Sequence, residues 1–223
     1  MEPNPENVSL LAMITSSAFI GAAANIAWGE IAKWIDRRRE NKKEEGKIAH
    51  VYHAIILQLE GFAHQCNGQL YDISVAMDNY RNLQDGSAFD RVGAQRFEFN
   101  PEPEWTSLPV PFVDEMKSFI NRSGQSDKWI SAQFGLWAGL DDVFELEEQR
   151  MAYYALRACA LASGIRAKIK IGKSDLQDLL EHFRSVIDRY RDHYNENEGR
   201  ANLIPELRAQ FESGLPHRGG PSL

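Results

Sequence analysis

Cysteine is scarce in this chain: Cys66 and Cys159 are the only two among 223 residues. Two thiols are too few for a disulfide framework. Both fall in apolar helical stretches, which fits buried free thiols in a reducing compartment. Metal and catalytic signatures are missing as well. There is no His-Glu-x-x-His motif, no Glu-x-x-His pair of the di-iron bundles, and no serine or cysteine nucleophile in a recognisable setting. No internal repeat is visible. The net charge of −7 excludes a global basic field for nucleic acid. No cofactor is expected, and an enzyme ranks behind the non-catalytic readings below.

One further absence is positional. No charged side chain occurs from Asn7 to Gly29, and no Lys or Arg precedes that stretch. Residues 8–28 would make a helix of roughly 30 Å at about 1.5 Å per residue, the thickness of a bilayer hydrocarbon core. Val8, Leu11, Ile14, Phe19, Ile20 and Ile26 supply its apolar weight, and Trp28 stands at its far end. Ser9, Thr15, Ser16 and Asn25 dilute the run, so its mean hydropathy is only moderate. A cleaved signal would need a basic start, whereas this one carries Glu2 and Glu6. The reading is a single transmembrane helix.

Charge asymmetry orients it. Arg37, Arg38 and Arg39, with Lys33, Lys42 and Lys43, follow the span. Basic residues beside a span stay in the cytoplasm. The expectation is a single-pass cell-membrane protein with residues 1–7 outside and its bulk in the cytoplasm. The arginine triplet would sit at the lipid headgroups. Ser17, Gly21 and Asn25 recur every four residues and share one face, a contact surface for a homodimer inside the bilayer.

Beyond a basic juxtamembrane segment, 29–46, helical periodicity dominates residues 47–213. Ile48, Tyr52, Ile55, Leu59, Phe62, Cys66, Leu70, Ile73, Met77 and Tyr80 form one stripe at steps of three and four. That predicts a long amphipathic helix over 47–83. Glycines and prolines then break the pattern over 84–110, a long loop with a short extended piece near Phe97 and Phe99. Short helices are predicted over 112–121 and 127–134, and a long one over 140–165. Ser174 with Gln177 reads as a capping box opening another. A last helix starts near Pro205, and 214–223 reads as a disordered tail. The expected fold is all-α: a bundle of three long and two or three short helices with a Pro-rich loop.

Three constellations stand out. His53, Glu60 and His64, with His50, lie along one helix edge, and Glu60 and His64 at i, i+4 are weak candidate metal ligands. Asp141, Asp142, Glu145, Glu147 and Glu148 form an acidic run that reads as the solvated start of a helix. In the loop, Pro-Glu-Pro-Glu-Trp-Thr-Ser-Leu-Pro offers Trp105 and Leu108 as handles for an unknown protein partner, or as side chains folded back on the bundle. The leading functional reading is a membrane-anchored helical scaffold or interaction module. The alternative is a membrane-tethered regulatory or sensor component.

Overall fold

The computed structural model describes the backbone of residues 5–214 except 85, 94 and 173, and side chains from residue 44 onward except those three, 88, 91 and 214. Among the described residues there are five α-helices and no strand. They are α1 (Pro5–Leu83), α2 (Val110–Phe134), α3 (Leu140–Ile169), α4 (Gln177–Glu196) and α5 (Pro205–Gly214). Short 3-10 turns at Gly86–Arg91 and Trp105–Ser107 break up the loop before α2.

The chain divides into two units, Met1–Ala49 and His50–Leu223. The first is helical from Pro5. The side chains of the expected span, of the Ser17, Gly21 and Asn25 stripe, and of Arg37, Arg38 and Arg39 lie outside the described residues, as do residues 215–223. Among the described residues no helix is long and apolar enough to cross a membrane.

The second unit is an all-α bundle. The α1 stripe seen in the sequence is its core: Ile55, Leu59, Phe62, Cys66 and Ile73 are buried. Aromatic rings tie the helices together. Phe62 meets Phe97 at 4.9 Å and Phe119 at 6.3 Å, and Phe119 meets Tyr154 at 5.9 Å. Against the far end of α1, Phe89 stacks on Phe144 at 4.2 Å.

Two local expectations need correction. The two short helices predicted for 112–121 and 127–134 are one helix, α2. Between the two predicted pieces Ser123 and Ser126 are buried, so tertiary packing overrides weak propensity. The bundle therefore has fewer short helices than expected. The capping box at Ser174 does not form: α4 begins without a side-chain cap, and Ser174 instead helps hold the Glu60 carboxyl low. Loop 84–110, expected as a long loop, packs on the bundle. Phe89, Phe97 and Leu108 are buried, and polar side chains hold its backbone. The Gln69 amide donates to the Gly93 carbonyl, Arg150 donates to that of Gln95 at 2.8 Å, and Gln58 bonds both Asn100 N–H and the Pro101 carbonyl.

Helix α5 is fastened by one buried amide. Gln149 on α3 accepts from Ile204 N–H at 3.0 Å and donates to the Asn202 carbonyl at 3.0 Å. Leu203, Ile204, Leu207 and Phe211 then bury the apolar side of that segment.

Candidate functional site

Glu60, the central member of the predicted metal edge, is already engaged. It accepts from Arg166 Nε at 2.7 Å and Nη2 at 2.9 Å, joining α1 to α3. Burial alone would raise its carboxyl, but Arg166, Ser174 and nearby His53 outweigh that and hold it below the ordinary range. His53 and His64 are exposed. Among the described residues no three His, Cys, Asp or Glu side chains stand together as a metal cage.

Leu108 is buried and Trp105 is half-buried against Phe99, ring centres 5.3 Å apart. The Trp105 indole donates to Glu102 at 2.8 Å, and Lys117 lies 5.2 Å over its ring. Of the two proposed handles, Leu108 is thus buried and Trp105 is engaged within the loop and with Lys117 of α2.

The acidic run departs further from its expected solvated role. Glu147 is buried and takes both Nε and Nη2 of Arg150, whose side chain is fully buried. Asp127 sits 3.9 Å from Arg150 and pairs with Arg96 at 2.9 Å. One Arg150 nitrogen, Nη1, has no partner. Glu148 accepts from Arg189 at 2.6 Å and from the Tyr190 hydroxyl at 2.5 Å. Glu145 is half-buried, and burial with the neighbouring Asp142, Asp141 and Glu148 charges raises its carboxyl despite Arg81. The run is therefore divided: Asp141 and Asp142 start α3 as expected, whereas Glu147 is paired inside and Glu145 and Glu148 pair with arginines at its edge. Helical spacing could not announce it, because the cationic partners Arg81 and Arg189 come from other helices.

Around Glu148 the surfaces of α1, α3 and α4 open into a cleft of about 290 Å³, floored by Ile73 and Met77 and rimmed by Arg81, Glu145, Arg189 and His193. Beyond the Glu148–Arg189 pair it adjoins a second hollow along Leu70, Tyr71 and Val186. Neither contains an activated nucleophile. Burial pushes the Cys66 thiol well up and the Cys159 thiol to about 11, so both are unreactive at neutral pH.

The clearest surface feature is an apolar cap at the α2–α3 turn. Phe134, Leu136, Trp137 and Leu140 are 58%, 77%, 48% and 36% exposed. Gly86, just past the end of α1, adjoins the cap: a Cβ placed there would touch Leu140 at 3.5 Å. The turn is rigidly held. The N–H groups of Leu136, Trp137 and Ala138 all converge on the Gln133 carbonyl at 2.9–3.1 Å, and the Trp137 indole donates to Gln133 Oε1 at 2.8 Å. Gly139 N–H donates to Asp142 at 2.8 Å, starting α3. The sequence carried a signal for this surface: Phe-Gly-Leu-Trp-Ala-Gly-Leu is seven uncharged residues in a connection, where loops are usually polar.

No protein-family model, curated protein or solved structure matches this chain.

Proposed function

We propose that the chain is a membrane-anchored interaction module. Residues 8–28 span the cell membrane once, residues 1–7 lie outside, the helical unit lies in the cytoplasm, and Arg37, Arg38 and Arg39 meet anionic headgroups. The observation that carries the interaction reading is the apolar cap. Several large apolar side chains clustered at one end of a bundle cost solubility, and such clusters mark contact surfaces. Their hydrogen-bonded turn pre-organises them, which lowers the entropy lost on docking. The internal ion pairs support a structural rather than a catalytic use of the acidic residues.

The test compares the full chain with a Leu136→Glu variant, each recovered from membranes in mild detergent. The expected result is loss of a specific co-purifying protein with unchanged helical circular dichroism. Identical co-purification by both would sink the cap as the contact surface.

The charged cleft between α1, α3 and α4 favours a second reading, a membrane-tethered sensor. On that reading a small charged molecule would raise the melting temperature, and substitution of Arg189 would abolish the rise. A scaffold would show neither effect.

A further inference from the structure

The buried stripe of α1 has a counterpart on the opposite, outward face. Leu57, Gly61, His64, Gly68, Tyr71 and Val75 follow at steps of 4, 3, 4, 3 and 4, the spacing of a coiled-coil seam. Leu57 is 54% exposed, Tyr71 70% and Val75 41%. Nothing lies within 4 Å of a Cβ built on Gly61 or Gly68. Glycine weakens a helix interior, and here no neighbouring group requires it. What the two glycines do provide is a seam on which another backbone can approach closely.

We propose that this face pairs, parallel and in register, with the same face of a second copy. The pattern is self-complementary: the bulky Leu57, His64 and Tyr71 alternate with Gly61 and Gly68, so each knob meets a hole lined by small residues of the other helix. The flanking positions agree. In a parallel pair Asn67 would face Asp72 and Ser74 would face Asn79 across the seam, with no like charges opposed.

The size of the face explains why membrane attachment matters. From Leu57 to Val75 the seam is about 27 Å long and a helix about 10 Å wide, so the pair buries several hundred Å². That is below the roughly 1,200 Å² of a standing interface. Two chains held in one membrane gain effective concentration without new contacts. The parallel direction thus rests on the anchoring reading.

Disulfide trapping tests it in the full chain, in native membranes. Cys66 and Cys159 are buried and give no background. A Leu57→Cys variant should cross-link to itself under mild oxidation, while Ser213→Cys on exposed α5 should not. Adding Tyr71→Arg to Leu57→Cys should cut the yield at least tenfold. No cross-link from a chain that resists carbonate extraction overturns the pair. Linkage only between Leu57→Cys and Val75→Cys chains overturns the parallel arrangement. Self-linkage of a chain that carbonate does extract supports the pairing face and defeats the anchoring reading alone.

Discussion

Arg150 is the residue on which the second unit's polar interior turns. Its side chain is fully buried, yet it reaches Glu147 beside it on α3, Asp127 on α2 and the Gln95 carbonyl of the loop. A buried charge is tolerable only when paired and hydrogen-bonded. Removing the cation therefore strands the Glu147 carboxylate and the Gln95 carbonyl, while Asp127 keeps Arg96. Arg150→Met keeps most of the volume and should cost about 3–5 kcal/mol, the usual range for breaking a buried pair from one side. Chemical denaturation with an unchanged m-value would report it. Arg150→Met combined with Glu147→Leu should recover part of the loss, because the uncompensated charge is gone. A single variant within 1 kcal/mol of the parent would contradict this account.

At the scale of elements, period and composition carried much of the information. The α1 stripe and the Pro205 start of α5 could be read from the sequence, because each is a local pattern imposed by one buried face. Two kinds of feature could not. The continuity of α2 depends on Ser123 and Ser126 packing inside the unit, which propensity does not see. The role of Glu148 depends on partners reached only after folding, and the apolar cap hid in a short connection. The α2 case yields a test. Gly124 is helical, and a Cβ there meets nothing within 4 Å. Gly124→Ala should therefore stabilise the protein by about 0.5–1 kcal/mol, through unfolded-state entropy and helix propensity. A melting temperature that falls would mean the segment is not helical in solution.

For the bundle as a whole, the Glu60–Arg166 pair ties α1 both to α3 and to the connection that follows it. Arg166 binds Glu60 on α1 through two nitrogens and donates to the Gly172 carbonyl in the α3–α4 connection at 2.9 Å. Both side chains are largely buried, at 17% and 12% exposure, so screening by water and salt is weak. Charge-assisted bonds of this kind contribute roughly 1.5–3 kcal/mol, and Arg166→Ala should lose about that much. The pH dependence has a definite sign. Glu60 titrates lower in the folded state than when unfolded, so its stabilisation is fully present above the ordinary carboxylate range. It is lost as pH falls through the folded value, because the unfolded chain then takes up the proton first. The gap in stability between the parent and Arg166→Ala should hold constant from pH 6 to 8 and narrow below about pH 4. Urea melts across that range measure it. A gap that widens in acid would show that Arg166 stabilises the bundle through its packing or through Gly172, with the carboxylate contributing little.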